Sequence, residues 1–272
     1  MITFVRETLR QQLPPEVFQF VRSCAWHSRF YWPRRAASVI VRHRSTVHTA
    51  SGARSVALVS RLQRINAFAP TGLCRVMTRY GSDKGNGWHT YTTVYAALFA
   101  GRRSEPLRVF EVGLGTDNPL RVSSMGVHGR PGASLRGWRE WFPASQVFGA
   151  DIDTDILFSE ERIDTFYCDQ RDAVAVEQLW RQPALAGGVD IVIDDGLHQF
   201  EANVTFLHAS IGRVRPCGYY IVEDILHESL GSWREEIEQL AARYSDFGFA
   251  LVELPHATNG NDDNNLMIAS RG

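Results

Sequence analysis

Lysine is almost missing from this chain: of its 29 basic residues only Lys84 is a lysine, and the other 28 are arginine. So heavy a use of arginine reflects genome composition, which makes the one retained lysine conspicuous. Cysteine is sparse as well. Cys24, Cys74, Cys168 and Cys217 stand far apart, with no CxxC pair and no disulfide-like spacing, which excludes a disulfide framework and fits reduced thiols in a cytosolic protein. No run approaches the roughly 20 unbroken apolar residues that cross a bilayer, and no charged segment leads into an apolar stretch with a small-residue cleavage site. The expectation is a cytoplasmic protein that does not span a membrane. Internal repeats are absent, and the nearest thing to low complexity is the loop "TNGNDDNN".

What is present is ordinary for a globular protein, with 44% hydrophobic residues in 272, enough for one large α/β domain or a domain with an appendage. The net charge of −1 hides an asymmetry, because residues 1–80 carry 13 arginines against Glu7 and Glu16. A basic front therefore precedes an acidic body. Residues 1–75 mix apolar and arginine residues at helix-like spacing ("PEVFQFVRSCAW", "SVALVSRLQRINAF") and read as a basic helical N-terminal arm. Such an arm suits peripheral contact with a membrane face or an anionic glycan, or packing on the acidic body of its own or a second subunit; a homo-oligomer is expected.

From residue 106 the texture changes to short apolar runs: "LRVFEVG", "SQVFGAD", "RIDTFYCD", "VDIVIDD", "GYYIVED", "FALVEL" and "NLMIAS". Helix-like stretches such as "SLRGWREWF" and "FEANVTFLHASIGRV" separate most of them. Strands alternating with helices predict a doubly wound, seven-stranded, mainly parallel sheet covered on both faces, over residues 76–272. In such a sheet ligands bind beyond the carboxyl ends of the strands, where the chain turns back and leaves a crevice.

The first strand ends "FEVGLGTDNP". Gly113 and Gly115 allow a sharp turn and close backbone approach to a ligand, but a third glycine and an immediate helix are missing. That weakens a pyrophosphate cradle, and with it a nicotinamide-dependent oxidoreductase. Glu111 is placed to accept from an ammonium group or to brace the glycine loop. Asp151, closing the second strand, stands where a carboxylate binds both hydroxyls of an adenosine ribose, and Asp169 and Gln170 follow the third strand where a side chain meets an adenine edge.

The fourth and fifth strands end "IDDGLH" and "VEDI". Up to four carboxylates in one crevice repel one another unless a cation sits among them. Oxygen ligands without a thiolate pair point to magnesium, with calcium or manganese as alternatives, held by Asp195, Glu223 and Asp224. Asp194 is expected to turn the other way and brace the loop on the donor side. His198, three residues beyond Asp195, is the natural base for a hydroxyl proton near neutral pH.

These segments, together with "GSDKG", "HTYTTVY", "SSMG" and "PGASLRGWREWFP", resemble the class I S-adenosylmethionine-dependent methyltransferases, specifically the metal-dependent sugar O-methyltransferases of macrolide biosynthesis (mycinamicin/tylosin type). The resemblance spans roughly residues 78–228. It implies a Rossmann-like fold, S-adenosylmethionine and Mg2+ as cofactors, His198 as general base, and a lid segment carrying Lys84, His89 and Tyr91. The implied reaction is methyl transfer to a sugar hydroxyl of a glycosylated natural product or a surface glycan or glycolipid. A small-molecule phenol or catechol O-methyltransferase is the nearest rival. Nucleic acid is a poor partner, because the active-site face is acidic and no Asn-Pro-Pro-Tyr type signature occurs.

Overall fold

The seven apolar runs all form strands in the computed structural model, which describes residues 46–49, 58, 62, 70–85, 89–254 and 263–272. They are β2 (Arg108–Val112), β3 (Gln146–Asp151), β5 (Ile163–Tyr167), β6 (Val189–Asp194), β7 (Val214–Val222), β8 (Phe247–Glu253) and β9 (Asn265–Arg271). Two short strands extend the edges, β1 (Thr46–Thr49) and β4 (Ser159–Glu160). The sheet order is β1-β8-β9-β7-β6-β2-β3-β5-β4. Five neighbouring strands, β7-β6-β2-β3-β5, pair parallel; β9 lies antiparallel between β7 and β8. The chain order reverses between β6 and β2, so the topological switch point lies where their carboxyl ends diverge.

Alternation along the strands divides the interior in two. Phe110 and Val192 face one core, which also takes Trp180, Phe206 and Trp233. Val109, Ile191 and Ile193 face the other, with Tyr95, Leu135 and Trp138. Helices α4 (Ala173–Trp180), α5 (Phe200–Ser210) and α6 (Leu230–Arg243) cover the first face. Helices α1 (Gly72–Tyr80), α2 (Tyr91–Leu98) and α3 (Ala133–Trp141) cover the second. Both sides being covered, the central strands are buried almost throughout, as a parallel sheet requires.

The chain divides into two compact units. Residues 43–114 and 132–272 carry the sheet, and among the described residues 115–131 belong to the other. Part of the segment read as a basic arm belongs to the sheet-bearing unit: β1 pairs with β8, and Leu58 and Leu62 are buried in the second core. The rest of that reading falls outside the described residues. Within the smaller unit, Gly115 has φ +75° and a Cβ there would meet Met125 Sδ at 2.1 Å, so the glycine accommodates Met125, whose N–H bonds Thr116 O at 2.9 Å.

Candidate active site

The pleat decides which acids meet. Glu111 sits on β2 one residue before Val112, which lies level with Asp194 of β6, itself level with Val222 of β7. Asp195 and Glu223, one residue further along, therefore share a face with Glu111, while Asp194 points to the opposite face. Hydrogen bonds from Asp195 N–H to Val112 O and from Glu223 N–H to Asp194 O, both 2.9 Å, carry the ladder past the strand ends and hold that parity.

Lys84 enters the shared face from the turn after α1, where Gly81 caps the helix at φ 92°. Its ammonium is almost fully buried. It donates to Asp195 Oδ2 and, at 2.6 Å, to Glu223 Oε2, with Glu111 Oε1 at 3.5 Å. Burial alone would pull the Lys84 pKa down, but Asp195, Glu111 and Glu223 raise it well above its ordinary value, so it stays cationic. One ammonium does not neutralise three carboxylates, and burial lifts Glu223 to about 7 against the pull of Lys84.

Helix α2 adds two tyrosines one turn apart on the same face. Tyr91 donates its hydroxyl to Asp224 Oδ1 at 2.8 Å, and Tyr95 donates to Glu223 Oε1. His89 stacks on Tyr91 with ring centroids 4.7 Å apart and sets Nε2 3.4 Å from Asp224 Oδ1. His198 Nε2 lies 3.6 Å from Asp224 Oδ2. Burial would raise the Asp224 pKa, but His89, His198 and Lys84 with the Tyr91 hydroxyl hold it well below the carboxylate range.

Two triads could hold a metal ion among the described residues: Asp195, His198 and Asp224, and His89, Asp224 and Asp263, each with ligand atoms within 4.8 Å of one another. The first is half-buried and accessible; two carboxylates and an imidazole there fit a divalent cation of the magnesium–manganese kind. Glu223, expected as the third ligand, is not brought into either triad. Both its oxygens are engaged, one by Tyr95 and one by Lys84, because the pleat turns it towards α2 and the buried ammonium.

Lys84, His89 and Tyr91, the residues expected in a lid segment, are buried and contact the strand-end acids, so they line the wall of the site. Glu111 is ion-paired with Lys84 at 3.5 Å and accepts hydrogen bonds from Ser134 Oγ at 2.5 Å and Trp138 Nε1 at 2.6 Å.

The remaining donor-side residues form the frame of the loops. Gly113 has φ +92°, and a Cβ on it would fall 2.0 Å from Asp195 O; its bare Cα lets the β2 loop press against the loop carrying Asp195. Asp151 accepts from Leu114 N–H at 2.7 Å and Asp153 N–H at 2.9 Å, which leaves each oxygen a second lone pair. Gln170 donates to Asp194 Oδ1 at 2.9 Å and accepts from Leu197 N–H at 2.7 Å, so it braces the 194–197 loop. Burial pushes Asp194 up to about 7, with Asn203, Gln170 and the Gly196 N–H holding it down. Asp169 is paired with Arg171 at 2.7 Å on the exposed rim.

Sequence reasoning missed Tyr95, Ser134, Trp138 and Asp263. Tyr95 carried a readable signal, four residues beyond Tyr91 on one helix. Asp263 carried none, since its loop reads only as polar.

A mainly parallel sheet with the antiparallel strand β9 inserted between β7 and β8, helices on both faces and an acidic crevice at the switch point define the class I methyltransferase fold. Within that class the chain is similar to sugar O-methyltransferases. It is 34% identical over 168 residues to the 8-demethyl-8-(2-methoxy-alpha-L-rhamnosyl)-tetracenomycin-C 3'-O-methyltransferase of Streptomyces olivaceus, a match covering 61% of this chain and 40% of that protein. It is 36% identical over 154 residues to the mycinamicin VI 2''-O-methyltransferase of Micromonospora griseorubida, covering 56% and 36%. The solved structure of the MycE methyltransferase of the mycinamycin biosynthetic pathway, in complex with Mg and SAH, superposes with a TM-score of 0.58 at 27% identity, over 75% of this chain and 56% of that one. The matched region thus spans about 40% of the length of the curated relatives. No family model matches the chain.

Proposed function

We propose that this protein transfers a methyl group from S-adenosylmethionine to a sugar hydroxyl of a glycosylated small molecule, with a divalent cation at the strand ends. The observation that carries the reading is the convergence of Asp195, His198 and Asp224 beyond β6 and β7, in a chain whose relatives are named as O-methyltransferases of rhamnosyl tetracenomycin and mycinamicin. When bound, S-adenosylmethionine supplies an electrophilic methyl and the cation makes a coordinated hydroxyl more acidic.

The chain's own residues do the positioning. Asp195 and Asp224 would hold the cation. His198, half-exposed on the rim, would take the proton from the attacking hydroxyl, and Asp224, 3.6 Å from its Nε2, steadies the imidazolium that results. Asp151 offers its second lone pairs to the ribose of the donor, while Gly113, Asp194 and Gln170 keep the surrounding loops in register. In-line alignment of donor and acceptor supplies much of the acceleration.

Calorimetric titration of S-adenosylhomocysteine with and without Mg2+, followed by methyl-transfer assays on rhamnosylated and other glycosylated acceptors, tests the reading. Micromolar binding and label transfer to a sugar hydroxyl are the expected results. Transfer only to a catechol would move the protein to the phenol and catechol enzymes, and absence of binding by folded protein would overturn the methyltransferase reading.

A further inference from the structure

We propose that Asp194, Asn203 and Tyr220 bind one buried water molecule behind the candidate active site, and that through it Asn203 and Tyr220 act as positioning residues for the loop after β6. The water site stands by itself, whereas the positioning role rests on the donor-binding reading above. Asp194 lies level with Val222 of β7, and Val192, two residues earlier, lies level with Tyr220. Asp194 and Tyr220 therefore project from one face of the sheet, the face that α5 covers. Phe206 of α5 lies against Tyr220, with ring centroids 6.5 Å apart. Asn203 stands three residues earlier on the same face of the helix. Because α5 starts from the loop at the strand ends, that step carries Asn203 about 4.5 Å towards those ends, and so towards Asp194.

All three side chains are buried. Asp194 Oδ2, Asn203 Nδ2 and Tyr220 Oη each have no hydrogen-bond partner among the described residues. The three groups nevertheless act on one another: burial raises the Asp194 pKa while the Asn203 amide works to lower it, and burial raises the Tyr220 hydroxyl with the Asp194 charge adding to the rise. A buried polar atom left bare is costly, and the large majority are bonded to protein or to ordered water. Three at one place match what a single water offers. It accepts from Asn203 Nδ2, donates to Asp194 Oδ2 and pairs with Tyr220 Oη in either sense. The other Asp194 oxygen serves the loop: Oδ1 accepts from Gln170 Nε2 at 2.9 Å and from Gly196 N–H at 3.4 Å, and Gln170 accepts from Leu197 N–H at 2.7 Å. Water on Oδ2 thus ties α5 and β7 to residues 194–197, and the carboxylate is fixed from both sides.

The test is a crystal structure of the full-length protein at a resolution that shows ordered water, with the same for Asn203→Leu and Tyr220→Phe. Each protein is also titrated calorimetrically with S-adenosylhomocysteine and its unfolding temperature measured. The expected native structure has one water within hydrogen-bonding distance of all three atoms. Asn203→Leu should expel it and weaken S-adenosylhomocysteine binding about tenfold, the scale of one hydrogen bond; Tyr220→Phe should keep it on two partners and weaken binding about threefold. Native Asp194, Asn203 and Tyr220 bonded directly to one another, with no water between them, overturn the site. Variants that lower the unfolding temperature but bind S-adenosylhomocysteine as tightly as the native protein overturn the positioning role and leave the water a structural one. Should Asn203→Leu not fold, Tyr220→Phe, which loses a single oxygen atom, decides that role by the same comparison. Absence of S-adenosylhomocysteine binding by the folded native protein overturns the donor reading and the positioning role with it, and the native crystal structure still decides the water site.

Discussion

His198 and Asp224 share an unusual backbone state, with φ of 58° and 53°, the left-handed region that side chains other than glycine rarely occupy. Such conformations cost on the order of 1–3 kcal/mol and persist where surrounding structure enforces them. Here the Tyr91 hydroxyl both donates to the Asp224 carboxylate and accepts its N–H at 3.2 Å, fixing the turn that aims Asp224 at His198. The imidazole lies among the ligand candidates as well as in the place of a base, and one substitution separates the roles. His198→Ala is expected to lower turnover by about 10²–10⁴-fold with Mn2+ affinity retained; a matching loss of Mn2+ binding would make His198 a ligand instead.

At the scale of the element, two loops are locked by the absence of a side chain. Gly113 and the backbone of Asp195 and Gly196 approach so closely that a Cβ would fall 2.0 Å from Asp195 O and 2.8 Å from Gly196 Cα. Since backbone rather than a flexible side chain is in the way, Gly113→Ala must displace the loop that carries the metal-site acid. It should destabilise the fold by about 1–3 kcal/mol in denaturant unfolding and weaken Mn2+ binding along with it. Unchanged stability and affinity would mean that the loops yield freely. The glycine was legible from sequence as a backbone requirement at a strand end, but the thing it accommodates is another loop of the protein. Helix α2 gives a similar lesson: "HTYTTVY" marked Tyr91, and only the packing of α2 on the strand ends shows Tyr91 and Tyr95 serving the adjacent acids Asp224 and Glu223.

For the whole molecule the dominant sequence feature is the separation of charge, with 13 arginines in the first 80 residues and an acidic remainder. No helix among the described residues is long and apolar enough to cross a membrane. Contact of the basic front with an anionic surface remains a proposal, with a defined signature. Full-length protein should co-sediment with vesicles containing phosphatidylserine at low salt, and leave them near 1 M salt, where the Debye length falls to about 3 Å. Equal retention on neutral vesicles would remove the electrostatic explanation. The split of the interior into two cores, each roofed by three helices, is also a property of the whole.

The sequence by itself determined the alternation of strands and helices, because period-two and helical apolar patterns are local, and it determined that acids gather at the ends of β6 and β7, because a buried parallel strand tolerates charge only where it emerges. Asp195, His198 and Asp224 were therefore readable as one constellation. Only the tertiary structure decided how those acids divide. Strand register places Asp195 and Glu223 on the face opposite Asp194, and a lysine 111 residues away in sequence from Asp195 is delivered between them by the turn after α1. Register and long-range delivery depend on how elements pack, not on the residues next to Glu223, so the engagement of that glutamate with Lys84 and Tyr95 had no local signal to betray it.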